Sequence, residues 1–188
     1  MDTNDGLTAD QVMTLEAYAD TIIPGEKRDP TDRAVAGEVS GGGAVASGAV
    51  ELMLTPEGGL AGTLDSLAEG LNEHARHYTA RIGLDPDPTV PPFVALAFAD
   101  RVALAQELLA PGHPEQELWV ALAMFSAMAW DTGAHMSTSD ALASGHPGLT
   151  SMGFMPPESD GVWRFPRFSY GRALAAIHPR TTPRGDPQ

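Results

Sequence analysis

The sequence predicts an all-α fold, a single-domain irregular bundle of about five to six helices. Apolar residues recur at three- and four-residue spacing in one segment after another. No stretch alternates apolar and polar residues for long enough to make a strand. Proline and glycine punctuate the chain where each periodic segment stops.

The first helix falls within residues 7–25. Thr8 and Gln11 have capping-box spacing, with the hydroxyl on an orphan amide and Gln11 reaching back. Val12, Leu15, Ala19, Ile22 and Ile23 form its stripe, and Pro24-Gly25 ends it. Residues 26–33 read as a charged surface loop. Residues 34–54 regain helical spacing only at Val45, Ala49, Leu52 and Met53, because three consecutive glycines, Gly41 to Gly43, cost a helix about 1 kcal/mol each relative to alanine. That triplet followed by Gly48 lacks the lysine and the preceding strand of a phosphate loop, so it reads as a flexible connection or a close backbone contact.

Residues 64–82 make the clearest long helix. Thr63 is its cap, the stripe is Leu64, Leu67, Ala68, Leu71, Ala75 and Tyr78, and Gly83 is its stop. The proline-rich segment 85–92 is a connector. A further helix is expected in 93–110, with Leu96, Phe98, Val102, Leu104, Ala105, Leu108 and Leu109 inward. Pro114, Glu115 and Glu117 suit a helix start. The run 118–130 is apolar almost all round, which predicts a central helix buried on every side. A short helix is expected over 137–143. Beyond Gly145 the chain is rich in glycine, proline and aromatics and has little periodicity, and 181–188 reads as a disordered tail after a domain spanning 1–180.

With 188 residues, 43% of them hydrophobic, the chain is long enough for one sizeable core. Eleven Lys and Arg against 25 Asp and Glu give a formal charge of −14, a field that repels phosphate backbones and anionic membranes. The absence of cysteine removes disulfides, thiolate metal sites and cysteine nucleophiles. The acidic, polar opening at Met1 to Gly6 has no leader character, and no run approaches a membrane span, so a cytoplasmic location is expected.

Two constellations have chemistry to weigh. Asp131 and His135 are four apart at the end of the apolar run; were the helix to continue, the carboxylate would orient the imidazole as a general base needs. The alternative is that both cap a buried helix end. Glu73 and His77 are one turn apart on the long helix, with His74 adjacent and Arg76 between. They are weak metal candidates, since a solvated face with ion pairs accounts for them. His113, His146 and His178 each precede proline and read as turn residues. The segment 149–170 is the best binding candidate: Met152, Phe154, Met155, Trp163, Phe165, Phe168 and Tyr170 are residue types enriched at partner surfaces.

The wording "TLEAYADTIIPG" in the first helix, "FADRVALAQELL" in 98–109, and "GLTSMGFMPP" with "VWRFPRFSYG" near the end resembles the gluconate 2-dehydrogenase subunit 3-like family, in a divergent, actinobacterial-type branch without a leader. Such proteins are small accessory subunits of glucose–methanol–choline-type flavoprotein dehydrogenases. The resemblance implies a non-catalytic accessory or maturation subunit that binds no cofactor itself and has a larger, FAD-containing oxidoreductase as its partner, in a biosynthetic setting. Two alternatives come from the residues alone. One is a stand-alone small enzyme doing acid/base or metal-assisted chemistry around Asp131 and His135. The other is a homo-oligomeric binding protein joined through its aromatic segment.

Overall fold

A computed structural model describes residues 6–156 and 179–180. The chain divides into a unit over Met1–Met155 and a second over Pro156–Gln188, of which Pro156 and, in a turn, Pro179 and Arg180 are among the described residues. The first unit is all-helical. Its α-helices are α1 (Ala9–Ile22), α2 (Ala49–Met53), α3 (Leu64–Ile82), α4 (Phe98–Leu109), α5 (Gln116–Thr132), α6 (Thr138–Ala143) and α7 (Pro147–Ser151). Single 3-10 turns at Pro56–Gly58 and Ala61–Thr63 link α2 to α3. No strand occurs among the described residues, and no helix there is long and apolar enough to cross a membrane.

Helix α1 is the hub. Its capping box forms as the spacing predicts, with Gln11 N donating to Thr8 Oγ1 at 3.2 Å and Thr8 N to Gln11 Oε1 at 2.9 Å. No residue from 11 to 25 is exposed, and α1 packs against α2, α3, α4 and α5. Leu15, Tyr18, Met53, Leu71, Phe93, Trp119 and Leu122 meet in one core. Buried Tyr18 donates its hydroxyl to Trp119 O at 2.9 Å, a polar atom that desolvation would otherwise penalise. Helices α2 and α7 have only five residues each, too short to persist alone, so packing against α5 sustains them.

The long connection from α1 to α2 is fixed by a buried polar clamp. Asp20, 1% exposed, accepts from Gly25 N at 3.0 Å and Ala36 N at 2.8 Å. Arg101, 4% exposed, donates to four carbonyls: Ala34 at 2.6 Å, Val94 at 2.7 Å, Leu96 at 3.1 Å and Arg33 at 3.3 Å. Burial acts against the charge on Asp32, but hydrogen bonds from the Arg28 side chain and from the Val35 and Arg28 amides outweigh it and hold that carboxyl at about 2. Burial pulls Arg101 down, while Asp20 and Asp32 supply the opposing negative field.

The glycine triplet makes a close backbone seam. A Cβ on Gly43 would strike the Ile23 carbonyl and lie 2.5 Å from Pro24 C; one on Gly25 would strike Gly43 N. Across this seam Ala44 N donates to Ile23 O at 3.0 Å and Glu26 N to Gly41 O at 2.8 Å. Of the two expectations for the triplet, close packing is the one realised.

Several expectations change. Helix α5 is not buried on every side: Leu118, Met124 and Met128 are 51%, 56% and 38% exposed. The bundle covers only the face carrying Trp119, Leu122, Ser126 and Ala129, because α1, already enclosed, occupies the centre. Helix α4 does lie within 93–110 as expected, from Phe98 to Leu109, after a turn whose Val94 and Leu96 carbonyls accept from Arg101. Thr63 stands at the N-cap of α3 without capping it; its hydroxyl donates to Leu60 O at 2.9 Å instead. Helix α7 lies in a stretch whose sequence shows no periodicity.

Candidate functional site

Beside α2, the α5–α6 connection and the start of α7 enclose an open cleft of about 530 Å³, lined in part by Ser47, Gly48, Glu51, His135 and His146. Gly133 brings His135 there. As the C-cap of α5 it adopts φ 58°, which ends the helix and turns the chain away. The imidazole of His135 then lies over Gly48, where a Cβ would come within 2.5 Å of Nε2. Gly48 also has φ 79°, so both the conformation and the contact require glycine.

His146 is 4% exposed and anchors the floor of the cleft. Its Nδ1 accepts from Leu149 N at 3.3 Å, capping α7, and its Nε2 donates to Ser47 O at 3.2 Å. Those two partners specify the neutral Nε2–H tautomer. The rings of His135 and His146 stand 6.2 Å apart. Against this satisfied imidazole, His135 Nδ1 and the hydroxyl of Ser47 are buried with no hydrogen-bond partner among the described residues. Two orphaned polar atoms in one cleft mark a place for a small polar ligand or bound water.

Burial lowers the pKa of His135 below 6.5; Glu51 opposes the shift and His146 reinforces it. Because the folded value is the depressed one, the imidazole contributes full stability above pH 6.5, and that contribution is lost as pH falls through the folded value. Urea unfolding at stepped pH should therefore show wild type losing more stability below pH 6.5 than His135→Leu. Parallel pH profiles would refute this assignment.

The structure does not bring Asp131 to His135. Asp131 is exposed on the last turn of α5, and no hydrogen bond or ion pair joins the two among the described residues, because the helix stops at Gly133. His135 acquires Gly48 and His146 as neighbours instead. Glu73 and His77 do meet, at 3.0 Å, but their side chains are 55% and 73% exposed and Arg76 holds the same carboxylate at 2.7 Å. The donor atoms of His74, His113 and Glu115, by contrast, all lie within 4.8 Å of one another.

His146 corrects the turn-residue expectation. It is a buried N-cap, with Pro147 at the first helical position as proline prefers. That His-Pro order is the available sequence signal, since proline suits the first position of a helix as well as a turn. Met152, Phe154 and Met155 are exposed by 42%, 49% and 37%. Trp163, Phe165, Phe168, Tyr170 and His178 lie outside the described residues, as does the tail at 181–188. A second cleft, over Val12, Met13, Glu16 and Arg28, has its charges already committed, since Arg28 bridges Glu16 at 2.8 Å and Asp32 at 2.7 Å.

Compared with known proteins, residues 9–188 match the model of a family described as "Family of unknown function (DUF5987)", and the chain belongs to that family. No curated protein and no solved structure matches it.

Proposed function

We propose that this DUF5987 member is a non-catalytic accessory protein that docks on a larger partner, and that the partner is an FAD-containing oxidoreductase of the glucose–methanol–choline type. The observation that carries the docking role is the uncovered apolar face of α5. Met124 and Met128 lie one turn apart there, and with Leu118 they are 38–56% exposed. Met152, Phe154 and Met155 add apolar surface just after α7, which packs on α5. Methionine and aromatic side chains in such numbers suit a surface that adapts to another protein. The flavoprotein as partner rests on the resemblance of the opening helix, of α4 and of the C-terminal wording.

Co-expression of the untagged chain with a tagged flavoprotein of that type from the same organism, followed by capture, tests both parts. The double variant Met124→Asp, Met128→Asp should weaken capture about tenfold or more, as loss of central interface anchors does. Its own stability should change by no more than about 0.5 kcal/mol, since both side chains face solvent. A flavoprotein that folds, keeps FAD and turns over unchanged without this chain overturns the flavoprotein assignment. A tight homodimer broken by the same double variant would instead assign the face to self-association.

A second reading has one observation in its favour. The orphaned Ser47 hydroxyl and His135 Nδ1 suit a small polar ligand or acid/base chemistry in the cleft. Without Asp131 to orient it, His135 has no carboxylate bonded to it, so a ligand site is the stronger form of this reading.

A further inference from the structure

In the part of the chain between the two segments that line that cleft, three side chains with metal-binding donors converge. His74 comes from the middle of α3, and His113 and Glu115 from the turn between α4 and α5. His74 Nε2 donates to Glu115 Oε2 at 2.7 Å, and Trp119 Nε1 donates to the same oxygen at 3.3 Å. The Glu115 amide donates to His113 Nδ1 at 3.2 Å. The His74 ring stands edge-on to His113 at 5.7 Å and to Trp119 at 5.6 Å. The hydrogen bond from His74 is the main influence holding the Glu115 carboxyl below its usual range, so the carboxylate is ionised.

We infer that His74, His113 and Glu115 form a site for one divalent transition-metal ion of the zinc class, which staples α3 to the connection between α4 and α5. Two imidazoles and one carboxylate are a donor set zinc favours, with water completing the tetrahedron. Donors on a tetrahedral zinc are about 3.3 Å apart, so atoms already within 4.8 Å need only modest side-chain rotation to close. The His74 and Glu115 side chains are 28% and 46% exposed and have room to make it. Trp119 is the outer support: its indole N–H holds the carboxylate and its ring backs the imidazole, the role such partners play around metal ligands. Glu73 and His77 have no such support, and Arg76 competes for the carboxylate. On binding, the ion takes the place of the proton on His74 Nε2, which moves to Nδ1 as the neutral imidazole changes tautomer.

Zinc chloride titrated calorimetrically into the full chain, purified without a histidine tag, tests the site. Wild type should take up one zinc per chain. The Tm should rise with zinc. Cobalt(II) should give the intense visible absorption of a tetrahedral complex and quench tryptophan emission. His74→Ala, His113→Ala and Glu115→Gln should each weaken zinc at least tenfold while keeping the zinc-free circular dichroism spectrum, and His77→Ala should leave binding unchanged. No zinc uptake by wild type, or equal losses in His77→Ala and His74→Ala, overturns the assignment.

Discussion

Exchange of Arg101 for leucine is expected to lower the unfolding free energy by about 3–5 kcal/mol, the range found when one member of a buried charge system is removed. The guanidinium reaches four carbonyls on two segments, 33–34 and 94–96, and leucine reaches none. Asp20 would be left 1% exposed without the positive field that offsets its burial. Burial already raises the pKa of Asp20 against the pull of the Ala36 and Gly25 amides, so removal of Arg101 pushes the carboxyl further toward its neutral form. Arg101→Lys should recover only part of the loss, because an ammonium is a point donor and cannot span carbonyls that a planar fork reaches. Urea midpoints with unchanged slopes would measure this. A loss below about 1 kcal/mol would mean that solvent replaces the guanidinium, contrary to its burial.

The same clamp accounts for the most distinctive wording in the chain. In the segment "ADTIIPG" the aspartate is Asp20, and its two amide partners, Gly25 and Ala36, hold the exit of α1 against the following loop. Helix ends marked by local chemistry are legible: Thr8 with Gln11, Pro24-Gly25 and Gly83. The stripes of α1 and α3 pack inward as their spacing predicts. What determines the rest is distant in sequence. Arg101 finds its carbonyls on 33–34 and 94–96 only after folding, and α5 is displaced from the centre because α1 already fills it.

The candidate cleft was only half legible for a related reason. His135 could be singled out from its place after an apolar helix, but its partner could not, since Gly133 reverses the direction that a continuing helix would have taken. The actual neighbours, Gly48 and His146, come from segments on either side of α5 in the sequence, and no local pattern announces them. The metal-binding donors follow the same rule. Helical spacing highlighted Glu73 and His77, whereas packing joins His74, one position along, to a turn 41 residues away.

Gly43→Ala should be the most damaging single-methyl addition along the seam, at about 3 kcal/mol, the upper end of overpacking costs. The added carbon meets the Ile23 carbonyl and the Pro24 backbone, neither of which can rotate aside as a side chain would. Gly41→Ala provides the control. Gly41 has φ 90° but open space around it, so its cost is the conformational one alone, about 1–2 kcal/mol. A larger loss at Gly43 than at Gly41 identifies contact, not backbone freedom, as what the triplet supplies; the reverse order would dissolve the seam. The consequence extends to the cleft. Residues 44–48 hang from the seam by the Ala44 bond to Ile23 O, and they carry Gly48 and the orphaned Ser47 to His135. Parting the seam should therefore also expose His135 Nδ1, and the imidazole should titrate closer to 6.5 by nuclear magnetic resonance.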